Sequence, residues 1–402
     1  MDSKKLNIAV VFEGDLTVGG GYQQQLSTIL KLKELKKYNF IGIVFSEENK
    51  KALDSYGIKN ILLKNSFWDK VVRLFLRQEW SFYLSNRFKI KTSFEKKILQ
   101  YNIDLVYFLS PSTLSLDLVC HNYIITVWDL CHRDNPEFPE VNYYREFERR
   151  EFLYNRSLKK AVAVIVDSKL GKSNVIKRYG VDEERVFVVP FSPSINAFSK
   201  SEIDVRNKYG ITGDYIFYPA QFWAHKNHVY IIDALSILKA DGMLITAVFS
   251  GSDKGNLEYV LNYSKSKNVD DLVKYIGFVP NEEIYPLYKN ALALVMPTYF
   301  GPTNIPPLEA FAIGTPVIVS DIPGFREQLG DAALFCDLKN PKSLAEALKL
   351  IIKDSKYRDE LIQKGRKRLE EISQIDLTNV LERIFDDYAV KLKCWKNIDL
   401  IR

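Results

Sequence analysis

At 402 residues the chain is longer than one ordinary core accommodates, and its 47% apolar content excludes a disordered polymer. A formal net charge of +6 over that length is too small for a nucleic-acid binder, so no nucleic-acid partner is expected. No apolar run reaches bilayer length and the start, MDSKKLNIAVVFEGD, lacks a cleavable-signal pattern, which predicts a cytoplasmic protein.

The first predicted element is a strand over 6–12, followed by Glu13, Gly14 and Asp15 and then by Gly19, Gly20 and Gly21. Leu26, Ile29, Leu30 and Leu32 then repeat at helical spacing over 22–35. Strand, glycine loop and helix read as a nucleotide-type βα unit. The adjacent glycines either bring backbone N–H groups close to a ligand or form a plain surface loop. Gly-x-Gly-x-x-Gly is absent, so hydride transfer is not supported. Strands are predicted again at 40–45, 60–63, 105–109, 123–127, 163–166 and 186–189. Helical patterns lie between several of them, which predicts a parallel sheet covered on both faces.

Residues 66–91 interrupt this alternation. Trp68, Val72, Phe75 and Leu76 fall on one helical face, and Lys70, Arg73 and Arg77 on another. Such a pattern suits either a half-buried helix or a helix lying on an anionic membrane. Cys120-His121 and Cys131-His132 flank the strand at 123–127 without Cys-x-x-Cys spacing, so reduced core thiols are expected rather than a zinc site. After that strand, Asp129 and His132 sit in a polar loop with Pro136 and Pro139, where strand-end side chains reach ligands. The run Val-Pro-Phe-Ser-Pro-Ser over 189–194 has linker composition.

Beyond it the alternation restarts with strands at 215–219, 245–249, 273–278, 293–297, 316–320 and 333–336. A loop carrying Gln221 and Lys226 leads into a helix over 229–238, and further helices begin at Pro341, Lys356 and Leu377. The expected architecture is α/β with two Rossmann-like domains, 1–192 and 193–376, and a terminal segment, 377–402, returning to the first.

The most informative stretch is 296–326, MPTYFGPTNIPPLEAFAIGTPVIVSDIPGFR. It runs from strand through a Gly- and Pro-rich turn into a helix carrying Glu309, then through Gly314 into a second strand. A helix N-terminus beyond the carboxyl edge of a parallel sheet suits a nucleoside diphosphate, and a carboxylate one turn inside can accept hydrogen bonds from ribose.

Pro297, Thr298, Pro306, Pro307, Leu308, Glu309, Ala310, Gly314, Thr315, Pro316 and Val317 together resemble the donor-binding signature of the retaining glycosyltransferases of family 4. That resemblance implies the GT-B fold, two Rossmann-like domains facing each other across a cleft. It implies donor contacts from Gln221, Lys226, Phe278, Thr303, Asn304, Ile305 and Glu309, and an acceptor-side glycine loop at Gly19, Gly20 and Gly21. Lys226 matches the family's diphosphate lysine, and Asp129 and Leu130 match its His-Asp-Leu segment. Three positions depart: Trp128 replaces the His, Gln221 the Arg and Gly301 the first Glu. Lys226, Glu309, Asp129 and His132 are the expected catalytic residues.

No Asp-x-Asp occurs, so transfer without metal or other cofactor is expected, with Lys226 and backbone amides opposing the diphosphate charge. The expected partners are a nucleotide-sugar donor, GDP- or UDP-linked, and a glycan or lipid-linked acceptor for surface polysaccharide, with peripheral contact to an anionic membrane. A non-catalytic nucleotide- or sugar-binding protein and a nucleotide-sugar epimerase of the same shape are the alternatives.

Overall fold

The computed structural model describes residues 5–14, 20–64 and 67–395. Runs rich in Val, Ile and Phe form thirteen strands, because branched and aromatic side chains fit a pleated surface covered on both sides. The first seven are β1 (Asn7–Val11), β2 (Asn39–Val44), β3 (Asn60–Leu62), β4 (Leu105–Phe108), β5 (Asn122–Val127), β6 (Ala163–Val166) and β7 (Val186–Val188). The other six are β8 (Tyr215–Pro219), β9 (Thr246–Ser250), β10 (Val273–Tyr275), β11 (Ala293–Met296), β12 (Val317–Ser320) and β13 (Leu334–Cys336). Every predicted strand is present, with ends shifted by a residue or a few.

All pairings are parallel, in two separate sheets. The orders are β3-β2-β1-β4-β5-β6-β7 and β10-β9-β8-β11-β12-β13. In each, the order reverses beside the sheet's first strand: between β1 and β4, and between β8 and β11. Loops leaving the carboxyl ends of that strand pair diverge to opposite faces and leave a crevice for a ligand. The two-sheet Rossmann-like architecture is as expected.

The chain divides into two compact units. One comprises residues 1–130, 148–190 and 376–402; the other comprises 131–147 and 191–375. In the first unit the helix Leu377–Leu392 buries Leu381, Ile384, Phe385 and Tyr388. Phe385 meets Tyr38 edge-on at 5.1 Å, and the Tyr388 hydroxyl donates to the Asp104 carbonyl at 2.9 Å. The terminal helix therefore does return to the first sheet.

Two local expectations are corrected. Gly20 and Gly21 are the first turn of the helix Gly20–Glu34, so they do not form a loop, and Gly19 lies outside the described residues. A Cβ on Gly21 would lie 2.8 Å from the Trp128 ring, so this position is glycine at least partly for packing. The helix Phe67–Leu76 keeps Leu76 inside and Val72 and Phe75 half-buried, as its apolar face suggests, but it departs from expectation in its cations and in Trp68. Arg73 and Arg77 do not form an outward cationic face: both pair with Asp117, at 2.5 and 3.2 Å, and the Asp117 side chain is fully buried. Asp69 is likewise inside, accepting the Ser93 N–H at 2.7 Å, while Trp68 points outward. Spacing showed which residues share a face, and ion pairing with Asp117 drew Arg73 and Arg77 inward beside Leu76.

Burial pushes the Asp117 carboxyl above its ordinary range, against the pull of Arg73 and Arg77. Removing it would strand two partly buried guanidinium groups. Asp117→Ala is expected to destabilise the protein by about 3 kcal/mol or more, read from urea unfolding.

Candidate active site

In the second unit, the loop after β8 and the loop after β11 flank the switch point of the sheet. The first closes as a single turn, Ala224–Lys226, and Asn227 then adopts a left-handed conformation (φ 56°, ψ 43°) before the helix His228–Ala240 begins. Asn tolerates that conformation better than most residues. The Tyr218 hydroxyl, at the end of β8, donates to the Lys226 carbonyl at 2.9 Å. Lys226 is therefore placed by its backbone at the carboxyl edge of the sheet, at the start of a helix.

The two neighbouring histidines differ. His228 is fully buried and stacks on Phe222, with centroids 4.2 Å apart. Burial, with smaller contributions from Lys226 and His225, pushes its pKa down to about 3, so it is neutral at physiological pH. His225 stacks on Phe300 at 3.9 Å, and its backbone N–H donates to Glu140 at 2.8 Å while its ring Nδ1 bonds the same carboxylate. Burial pushes Glu140 up, but the His225 ring and backbone together outweigh it and hold the carboxyl below its ordinary value. The His225 carbonyl in turn accepts from Thr298 and from the Tyr299 N–H. Glu140 thus ties the two loops together through a single histidine, a contact with no signature in the sequence. Lys226 is the only lysine or arginine between 220 and 228.

Gln221, in place of the expected arginine, accepts from the Trp223 indole N–H at 2.9 Å, and Lys254 lies over that indole at 5.7 Å. This contact occupies the amide oxygen and leaves the NH2 as the donor of the side chain. Phe278 is exposed, in the turn between β10 and the helix Asn281–Lys289.

The helix Ile305–Ile313 starts at the carboxyl end of β11, but its first turn offers fewer donors than expected. Pro306 and Pro307 have no N–H, and the Asn304 N–H donates to the Gln328 side chain at 3.0 Å. Gln328 completes the pair by donating to the Asn304 carbonyl at 2.8 Å. Of the orphan donors at this helix start, Ile305 N–H remains. Thr303 is buried, and the Asn304 side chain bonds back to the Gly301 carbonyl at 3.3 Å.

Glu309 lies one turn further in. Part of the residue reaches the surface, but its carboxyl is enclosed, one oxygen accepting from Ser194 and the other from the Tyr288 hydroxyl at 2.9 Å. Burial raises its pKa above the ordinary 4.5, opposed by those two hydrogen bonds. The Ser194 backbone N–H also donates to this carboxylate, which leaves one of its roughly four acceptor positions for an incoming hydroxyl. Ser194 and Tyr288 were not foreseen, because each is far from Glu309 in sequence and of an unremarkable type.

In the first unit, Asp129 pairs with Arg150 at 2.9 Å. Trp128 is half-buried beside Gly21, and its indole nitrogen has no hydrogen-bond partner. His132, expected on a polar loop, is instead fully buried on the short helix Cys131–Asp134 of the second unit, its ring 5.3 Å from Phe147. Cys120, Cys131 and Cys336 are free thiols, and among the described residues no three of His, Cys, Asp and Glu gather as a metal site.

The turn before the helix Ile305–Ile313 lies so close to Gly324 that a Cβ there would sit 2.0 Å from the Pro302 carbonyl oxygen. Backbone, not a flexible side chain, would have to move. Gly324→Ala is expected to cost about 1–3 kcal/mol in thermal or urea unfolding by overpacking.

Residues 201–368 match the family model described as glycosyl transferases group 1. The O-antigen chain mannosyltransferase RfbU of Salmonella typhimurium is 30% identical over 235 residues, covering 57% of this chain and 61% of its own. The O-antigen chain mannosyltransferase B of Escherichia coli is 22% identical over 255 residues, covering 62% and 66%. The chain thus spans less than two thirds of the length of these curated relatives. Among solved structures, Anabaena HepE in complex with UDP superposes with a TM-score of 0.70 at 17% identity, covering 97% of this chain and 100% of that one, a likeness of fold. Lys226, the turn before Ile305 and Glu309 all lie within the residues that match the glycosyl transferases group 1 model.

Proposed function

We propose that the protein is a retaining hexosyltransferase that moves a sugar from a nucleoside-diphosphate donor to a glycan or lipid-linked acceptor of a surface polysaccharide. The observation that carries this reading is the pairing of Lys226 with the Glu309 helix on the two loops at the switch point of a group 1 domain. The names of the mannosyltransferase relatives support a hexosyl donor, and the UDP held by the Anabaena protein supports a nucleoside diphosphate.

In this reading, Lys226 and the Ile305 N–H oppose the negative charge that grows on the leaving diphosphate. With two prolines and the Gln328 latch removing backbone donors, the lysine bears more of that task than the sequence suggested. Glu309 accepts from the ribose, with Ser194 and Tyr288 fixing its orientation. Its two partners are hydroxyl groups rather than a second carboxylate, which fits a binding role better than that of a nucleophile in a carboxylate pair. The same-face attack is then assisted by the donor's own phosphate oxygen. Asp129, paired with Arg150, serves the acceptor side, and no metal ion is required. The same reading places the protein in the cytoplasm.

The test is transfer from a panel of GDP- and UDP-sugars to polyprenyl-linked or oligosaccharide acceptors, followed by NMR of the anomeric product. Retained configuration, and activity that survives EDTA, are expected. Nucleotide binding without any hydrolysis or transfer would identify a binding module instead, and inverted product or a strict magnesium requirement would contradict the mechanism. Lys226→Ala is expected to lower kcat/KM by about 100-fold or more.

Glu309→Gln separates binding from stability. A carboxyl whose folded pKa lies above its unfolded value takes up a proton sooner in the folded chain. Its contribution therefore favours the folded state most below pH 4.5 and is lost as pH rises through the raised value. The neutral amide should leave the melting temperature at pH 7 unchanged or higher, while nucleotide affinity falls about tenfold or more. Wild-type affinity should also decline as pH falls through the raised value, and calorimetry should find the variant flat there.

A further inference from the structure

The segment 67–88 of the first unit, a helix (Phe67–Leu76), a single turn (Glu79–Ser81) and a second helix (Phe82–Arg87), is held from inside by polar contacts and carries large apolar side chains on its outer side. Its polar side is the anchor. Asp69 holds the Ser93 N–H, Arg73 and Arg77 hold Asp117, Arg77 also donates to the Thr113 carbonyl, and Arg156 donates to the Arg77 carbonyl at 3.0 Å. The apolar side faces out. Phe67, Trp68, Leu74, Trp80, Tyr83 and Phe88 are each between 66% and 78% exposed, with Val71 and Leu84 beside them. Phe67, Val71 and Leu74 recur at helical spacing on that outer face. Edge-to-face contacts of Phe67 with Trp68 (6.2 Å) and Phe75 with Trp80 (5.4 Å) join the elements into one surface.

Ordinary folding does not explain this surface. Leu76 is buried and Val72 and Phe75 are half-buried, yet a further set of large apolar side chains is left outside, and a contiguous exposed apolar patch on a folded protein marks an interaction site. We propose that residues 67–88 dock the protein onto a lipid bilayer with anionic headgroups. Charge complementarity selects that occupant. Lys64, Lys70, Arg87 and Lys89 are exposed around the aromatics, and Glu79 is the only exposed carboxylate from 64 to 91. Trp and Tyr with flanking lysines is the composition that settles at the headgroup boundary. Among the described residues no helix is long and apolar enough to cross a membrane, so the contact is peripheral. Arg73 and Arg77 take no part in this outer face, because both are turned inward onto Asp117.

The experiment is flotation of the full chain with vesicles of phosphatidylcholine, with and without phosphatidylglycerol. The wild type should float with the mixed vesicles and much less with phosphatidylcholine alone. A triple variant, Trp68→Ser, Leu74→Ser and Trp80→Ser, should lose about tenfold or more in partitioning with its melting temperature retained, since these side chains lie outside the core. Lys70→Gln and Lys89→Gln should each lower binding to the anionic vesicles about fivefold and lose that effect at high salt. The proposal is overturned if the wild type does not float, or if the triple variant floats as well. It is also overturned if the wild type is a lipid-free dimer that the triple variant dissolves, which would assign the surface to a second copy. Nucleoside-diphosphate binding measured on the same samples keeps a failure here separate from a failure of the proposed activity.

Discussion

The Glu309 carboxyl is the contact around which the second unit's site is assembled. It joins three elements: the helix after β11, the segment entering the unit at Ser194, and the helix Asn281–Lys289 through Tyr288. Burial works against its charge, and two hydroxyl donors work for it. A carboxylate so placed has an orientation that no surface side chain could hold, while its remaining acceptor position stays usable. Burial outweighs those donors, so the carboxyl is held above its ordinary range.

Around that group, the site is built by backbone more than by side chains. Gln328 closes on both the N–H and the carbonyl of Asn304, and Glu140 reaches His225, whose carbonyl gathers Thr298 and Tyr299. These latches fix where the loops after β8 and β11 end. They also use donors that a helix N-terminus would otherwise present, so cationic help is concentrated on Lys226. The neutral His228 beneath it adds none. The electrostatic character of the site is therefore that of one lysine among capped amides, a sharper picture than a general positive helix end.

The first unit is organised by the opposite device. There buried ion pairs hold a helix by its polar side, and the side left over is aromatic. Arg73 and Arg77 would be costly to bury alone; with Asp117 between them they become the anchor. The same three residues that stabilise the segment decide what it shows to the outside.

Much of this was legible in one dimension. Apolar runs located the thirteen strands found among the described residues, since a strand covered on both faces must be apolar wherever it occurs. The Pro-Pro-Leu-Glu run and the lysine after β8 pointed to loops that the structure puts beside the switch point of the second sheet, because local turn chemistry is supplied by neighbours in sequence. Partnerships across long separations were not legible. Nothing marks Ser194 for Glu309, Glu140 for His225 or Gln328 for Asn304, and each involves an ordinary polar residue whose role begins only when the chain brings it there. Gly20 and Gly21 looked like loop and became helix, and the helix at 67–76 had the right periodicity but drew Asp69, Arg73 and Arg77 inward and left Trp68 outside. Local pattern determines which element forms and which residues share a face; which face is buried depends on the charge the rest of the fold sets against it.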